Sequence, residues 1–331
     1  AEGRQAKAEA IVKALAPYEA DIYAFNEVEA KAEGADSEAL EVLAKLMTQE
    51  TGVEYEVVND GLTYDPSDDA TGQIKSGFIY RTDRVALVGD NVSTAVGYTY
   101  VYPYMLRMQT FRSISSGESF TLSMNHFKAS TSGNMADDQL KREQNSMALL
   151  QGLDSAQDPD ILILGDLNSE MGEQCLKNLT DAGYEEQILK YDDTEAYSYW
   201  WYGGTLIDHV FANNTMARQV ADALVLHIAN PHSVGTSNAY SDHDPYIITL
   251  DLQAQPSPTY TYTKASVVEN GKAYLMVAPL DGLKAAKPVS VGKTYEYLQT
   301  TEVEDHDGRI TMPDAKQAFI FEDAGDAVSR L

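Results

Sequence analysis

Two short polar clusters, Gly165-Asp166-Leu167-Asn168 and Ser241-Asp242-His243-Asp244-Pro245, each abut a strongly apolar run. Ile161-Leu162-Ile163-Leu164 precedes the first, and Tyr246-Ile247-Ile248-Thr249-Leu250 follows the second. Runs of that length and composition predict buried strands. Carboxylates, an amide and an imidazole at the mouths of buried strands are costly to desolvate without a compensating role. A metal-dependent hydrolytic site supplies such a role. Alternation along an extended chain puts Asp166 and Asn168 on one side. A carboxylate beside an amide suits a hard cation, a water and a phosphoryl oxygen, although Asp, Asn and Gly are also ordinary turn formers.

His243 is the sharper clue, because an imidazole can take a proton from water near neutral pH. It needs an acid to fix its tautomer. Asp208 sits in the apolar stretch Leu206-Ile207-Asp208-His209-Val210-Phe211, where an unpaired carboxylate would be expensive; pairing with His243 removes that cost. His209 faces the opposite side and reads as a packed histidine. Glu27 ends a strand-like segment, Phe25-Asn26-Glu27. Alone it reads as a solvated edge; with other acids converging it becomes a ligand for Mg²⁺, which takes few carboxylates and keeps several waters. Asn125, His126 and Lys128 carry donors suited to phosphate oxygens. The alternatives are a solvated tip for Lys128 and a packed ring for His126. The aromatic run Tyr197-Ser198-Tyr199-Trp200-Trp201-Tyr202 reads mostly as packing, with Tyr199 a candidate wall against a base or sugar.

The elements that must position these groups follow from periodicity. Residues 2–16 predict a helix stopped by Pro17, and 37–51 a second, with Leu40, Leu43, Ala44 and Met47 at i, i+3, i+4, i+7 and Gly52 ending it. Further helices are expected at 136–153 and 173–182. Strands are expected at 21–28, 53–58, 76–81, 84–88, 106–114, 119–127, 160–165, 197–201, 205–212, 222–227 and 245–252. Ser115-Ser116-Gly117 marks a hairpin. Without regular βα alternation the class is α+β, with helices outside a pair of stacked sheets. Gln253-Ala254-Gln255-Pro256-Ser257-Pro258 reads as a linker. The expected division is a catalytic domain over 1–253, a linker over 254–258 and a small β accessory domain over 259–331.

The chain has 331 residues and a formal charge of −27. That charge argues against nucleic-acid binding through a broad basic surface, and it favours a small or single-site substrate over a long polyanion. It leaves room for an enzyme that meets phosphate through a bound cation, which inverts the local field. Cys175 is the one cysteine, so no internal disulfide and no cysteine-based zinc site can form; it reads as a packed thiol. No apolar run is long enough to span a membrane, no obligate protein partner is evident, and no signal peptide is visible.

Taken in order, Asn26-Glu27-Val28-Glu29, Asn125-His126-Phe127-Lys128, Gly165-Asp166-Leu167-Asn168, Ile207-Asp208-His209-Val210 and Ser241-Asp242-His243-Asp244-Pro245 resemble the motifs of the endonuclease/exonuclease/phosphatase superfamily, the deoxyribonuclease-I-like fold. The spacing is most similar to its extracellular bacterial nuclease branch. The resemblance spans roughly residues 4–252. It implies a four-layered α/β sandwich, two mainly antiparallel sheets flanked by helices, and phosphoester hydrolysis assisted by Mg²⁺ or Mn²⁺, with Ca²⁺ as an alternative. Carried over, Glu27 binds metal and Asp242 lies near it. Asp166 orients the water or holds a second metal. His243, oriented by Asp208, acts as general base. Asn168 and His126 stabilise the transition state, and Asn125, Lys128 and Tyr199 contact phosphate or substrate. The substrate would be nucleic acid or a small phosphoester. The functions implied are a nuclease, a phosphatase or phosphodiesterase on sugar, inositol or lipid phosphates, or a binding protein that kept the fold. The resemblance also implies a secreted, periplasmic or cell-surface bacterial protein. Family members open with a strand carrying an Asn metal ligand, upstream of the helix that starts here at Glu2. The expectation is therefore a sheet short of that central strand, with weaker metal binding.

Overall fold

The computed structural model describes residues 2–29, 39–61, 74–94, 105–192, 196–199, 204–229 and 241–252, and the strand backbones 260–266, 274–277, 285–288, 294–300 and 319–321. The expected linker 254–258 and Trp200, Trp201 and Tyr202 lie outside these residues. The chain divides into two compact units, Ala1–Gln253 and Ala254–Leu331. In the second unit, strands Tyr260–Ser266, Thr294–Thr300 and Phe319–Phe321 form one sheet, and Tyr274–Val277 pairs with Ala285–Pro288.

The first unit runs α1 (Glu2–Leu15), β1 (Ile22–Glu29), α2 (Ala39–Thr51), β2 (Tyr55–Val57), β3 (Ile74–Arg81), β4 (Val85–Ser93), β5 (Leu106–Ser113) and β6 (Ser119–His126). It continues with α3 (Met135–Gly152), β7 (Ile161–Asp166), α4 (Gln174–Asp181), β8 (Glu185–Glu186), α5 (Ile188–Tyr191), β9 (Asp208–Ala212), α6 (Asn214–Ala217), β10 (Val220–Val225) and β11 (Tyr246–Leu250). The expected strand at 197–201 is present only as bridges from Tyr199 to Thr205 and to His243; residues 200–201 are not described.

The larger sheet has the order β4-β5-β6-β7-β9-β8, antiparallel except for the parallel pair β6–β7. The apolar run Ile161–Leu164 makes β7 a central strand: all six of its residues are buried. Its alternate side chains serve two cores. Leu162 and Leu164 pack with Phe78, Phe111, Val210 and Ala223 between the sheets. Ile161 and Ile163 pack with Leu149, Leu176 and Leu179 of α3 and α4 on the other face. A third core joins Val12 of α1 and Leu40, Leu43, Ala44 and Met47 of α2 to Tyr23, Tyr55 and Ile79. Burying each Leu or Met of the α2 stripe is worth roughly 1.5–3 kcal/mol. Three cores separate four layers, giving an α/β sandwich with helices outside and sheets inside.

Among the described residues, the sheet layer that lies over the large sheet comes in two pieces, β1-β3-β2 and the pair β10-β11. Each piece is tied to the large sheet at the end that carries the polar clusters. Asn26 Nδ2 donates to the Asn125 carbonyl at 2.8 Å, and Ser76 Oγ donates to Asn26 Oδ1 at 2.6 Å. Tyr246 Oη accepts from Gly165 N at 2.9 Å.

Gly165 has φ of 124°, and a Cβ there would fall on the Asn125 carbonyl oxygen. Both backbone and space demand glycine. Gly165→Ala should destabilise the fold by about 3 kcal/mol or more, read as a lowered denaturation midpoint. An unchanged midpoint would contradict this packing.

Candidate active site

β6 and β7 are parallel, so both end at one edge of the sheet; β9 is antiparallel to β7 and so begins there. The register sets His126 opposite Asp166 and Asp166 opposite Asp208. Three of the expected site residues thus form a row across three neighbouring strands. Strand order and direction, not proximity in sequence, bring them together.

Glu27 reaches this row from the opposing layer. The β1–β3 register slips between Phe25 and Val28, a bulge of the kind that redirects a side chain. Glu27 itself has φ of 55°, a left-handed conformation that disfavours side chains. Its Oε1 lies 3.5 Å from His126 Nε2, and Asp166 Oδ2 lies 3.7 Å from the same nitrogen.

His243 closes the site. Its Nδ1 lies 2.7 Å from Asp208 Oδ2. Since the carboxylate can only accept, Nδ1 carries the proton and Nε2 is left for chemistry. Burial works to lower the His243 pKa, but the hydrogen bond and charge of Asp208, with Asp166 and Asp242 adding, lift it to about 9. His126 moves the other way: burial lowers its pKa against the pull of Glu27 and Asp208. Its neutral Nε2 faces the acids, and its buried Nδ1 has no partner among the described residues. Burial, then the Asp208 charge, pushes the Asp166 carboxyl well above the usual range.

Ligand atoms of Glu27, His126 and Asp166 lie within 4.8 Å of one another, as do those of Asp166, Asp208 and His243. Acids crowded this closely repel, and a divalent cation relieves the repulsion. Each set holds two carboxylates and one imidazole; the carboxylate oxygens, with open approach at the exposed Glu27, fit a hard cation. Asp242 belongs to neither set; its charge acts on His243.

Asn168 joins the site by a different route from simple strand alternation. β7 ends at Asp166, and Asn168 has φ of 49°. The turn brings its Nδ2 back to Asp166 Oδ2 and to the Phe127 carbonyl, both at 3.1 Å, while its N–H donates to Asp166 Oδ1 at 2.8 Å. Asn168 therefore orients Asp166. Tyr199 lies against His243, ring centroids 4.7 Å apart.

Two expected donors are spent elsewhere. Asn125 is fully buried, and its amide donates to Ser123 O and Oγ and to Leu164 O. Its side chain stands on the opposite face of β6 from His126; only its carbonyl serves the site region, as the anchor for Asn26. The Lys128 ammonium is turned into its own loop, 2.6 Å from Ala129 O, 2.8 Å from Thr131 Oγ1 and 3.4 Å from Asp138 Oδ1. His209 is packed, as expected, with Nε2 2.8 Å from Ser169 O. Cys175 is buried against Ser169.

Asn26, Ser76, Ser198, His227 and Asp244 join the site region without having been expected there. Asp244 Oδ2 lies 3.0 Å from His227 Nδ1, with Tyr197 stacked on that imidazole at 4.1 Å. The one available signal was Asn26 beside Glu27; the other contacts are tertiary and leave no local pattern.

Residues 1–243 match the model of the endonuclease/exonuclease/phosphatase family. A comparison with curated protein sequences finds no match. Among solved structures, an endonuclease/exonuclease/phosphatase protein from Bacteroides vulgatus superposes with a TM-score of 0.54 at 15% identity, covering 75% of this chain and 91% of its own. The human nocturnin catalytic domain, with a bound sulfate anion, gives 0.50 at 18% identity, covering 75% and 87%. A humanized D. rerio TDP2 gives 0.50 at 13% identity, covering 75% and 92%.

Proposed function

Because the chain belongs to the endonuclease/exonuclease/phosphatase family, whose enzymes are metal-dependent phosphoesterases, we propose that it is a nuclease that hydrolyses phosphodiesters. The observation that carries this reading is the His243–Asp208 pair set over the row of Asp166 and His126, with Glu27 facing it.

In this reading, Asp208 fixes the His243 tautomer, and Nε2 takes a proton from the attacking water. The new P–O bond forms as the ester P–O bond breaks; the departing oxygen takes a proton from solvent, and His243 returns the proton it took to solvent. His126 Nε2 donates to a non-bridging oxygen, where charge grows in the transition state. Asn168 holds Asp166 in place. Glu27 and Asp166 would hold the cation, Mg²⁺ or Mn²⁺, whose charge draws electron density from the phosphoryl oxygens. Tyr199, beside the base, would bound the substrate.

A diester is favoured over a monoester by the charge of the site. Among the described residues no Lys or Arg nitrogen lies within 4.0 Å of Glu27, Asp166, Asp208 or Asp242. A phosphate monoester brings a second negative charge that only the cation and His243 would offset, whereas a diester brings one. The acidity of the whole chain favours the second reading, a small phosphoester substrate.

The test is cleavage of plasmid DNA, RNA and a panel of sugar and inositol phosphates, each with Mg²⁺ and with chelator. Cation-dependent strand cleavage is the expected result. Release of inorganic phosphate from monoesters, with nucleic acid left intact, would move the assignment to a phosphatase.

A further inference from the structure

Tyr197-Ser198-Tyr199 crosses the site region as a strap, and each of its residues holds a different part of the machinery. Tyr197 stacks on His227, the partner of Asp244. Tyr199 packs on His243 and bridges it through the backbone. Ser198, between them, is fully buried. Its Oγ accepts from Asp208 N at 3.1 Å and from Ile207 N at 3.2 Å, while its carbonyl accepts from Asp244 N at 2.6 Å. Its own N–H donates to Thr205 O at 3.0 Å.

Asp208 and Asp244 lie on separate elements: Asp208 opens β9, and Asp244 follows His243 in the segment leading into β11. Ser198 bonds to the backbones of both, through Asp208 N and Asp244 N. We propose that Ser198 is the positioning residue of the Asp208–His243 pair. Its hydroxyl fixes the backbone of the acid, and its carbonyl fixes the backbone next to the base. The far side of that base segment is fastened by Asp244, whose Oδ1 accepts from Ala229 N at 2.7 Å. The 2.7 Å Nδ1–Oδ2 separation is then held by the bonds of one residue to both backbones, and not by the side-chain contact alone.

This inference rests on the reading of His243 as the base, so the test includes both. Ser198→Ala removes the hydroxyl that accepts from Ile207 N and Asp208 N and keeps the carbonyl that accepts from Asp244 N, so the acid's backbone is released while the base's stays held. Small errors in alignment cost rate more than binding, so kcat should fall by roughly ten- to a hundredfold with KM within about twofold. The downfield Nδ1 proton resonance of His243, a mark of a short hydrogen bond to carboxylate, should shift or broaden. In an Asp208→Asn background the same substitution should cost little further rate, because both changes act through one pair. Should Ser198→Ala prove too unstable to purify, Ser198→Cys replaces it under the same criteria, its thiol being a weak acceptor of similar shape.

Unchanged kcat and an unchanged resonance in the Ser198 variant, with His243→Ala inactive, would overturn the proposal alone. So would an equal kcat loss in both backgrounds, which marks a merely structural residue. Full activity in His243→Ala would instead remove the underlying reading.

Discussion

His243→Ala should lower kcat/KM for phosphoester cleavage by about a thousandfold while the protein remains folded, since general-base catalysis supplies typically 10²–10⁴. The imidazole is partly exposed, its side chain 25% accessible, so truncating it opens no deep cavity. It does leave the Asp208 carboxylate, 12% accessible, without its counter-charge, and the midpoint of unfolding should fall modestly. The same geometry predicts the pH dependence. The base form of His243 is the working form, so the rate falls as pH drops through its pKa, which Asp208 lifts toward 9. The acid limb should therefore lie above the ordinary histidine range of about 6.5 at low cation, and move down as a bound cation repels the imidazolium. Stability runs oppositely. A pKa raised on folding gives stabilisation that is full below about 6.5 and lost as pH rises through about 9. A flat pH–rate profile from pH 6 to 9, or a His243→Ala variant within tenfold of the parent, would exclude His243 as the base.

Glu27→Gly should produce a protein that is more stable and nearly inactive. The glutamate occupies φ of 55° in the bulge of β1, where a side chain costs roughly 1–2 kcal/mol that glycine does not incur. Its side chain is 62% exposed, so deleting it loses little packing. The gain should appear as a raised denaturation midpoint of about 1 kcal/mol. Activity should fall together with cation affinity, by 100-fold or so, and recover in part when Mg²⁺ or Mn²⁺ is raised. The pairing of gain and loss is the signature of strain kept for function. A Glu27→Gly variant less stable than the parent, or active at ordinary cation concentrations, would remove that reading of the bulge.

Much of this arrangement was legible in the sequence. The long elements were, because their periods are long enough to register: the α2 stripe Leu40, Leu43, Ala44, Met47 is buried as expected, and so is every residue of β7. The placement of Asp166, Asp208 and His126 at the ends of apolar strands was legible from the runs beside them, while a turn for Asp166 and a packed ring for His126 explained the same residues. α5 and α6, four residues each, and the two-residue β8 are too short to show a period. Asn125 and Lys128 were read by side-chain type. Strand alternation turns Asn125 away from His126, and neighbouring oxygens in its own loop draw Lys128 aside. The bulge at Glu27, the left-handed turn at Asn168 and the bonds of Ser198 depend on partners far along the chain. No window of sequence contains them.

Glu27, and the segment of His243 that leads into β11, belong to pieces of a layer that share no ladder among the described residues. Each piece is pinned separately: one through Asn26 to the carbonyl of Asn125, the other through Tyr246 to the N–H of Gly165. Those two anchor points are themselves register partners on adjacent strands of the large sheet. The span across which a phosphate must fit is thus calibrated by a single inter-strand step of that sheet, and the two jaws inherit their tolerance from it. Loosening either pin should widen the grip without disturbing the floor beneath it.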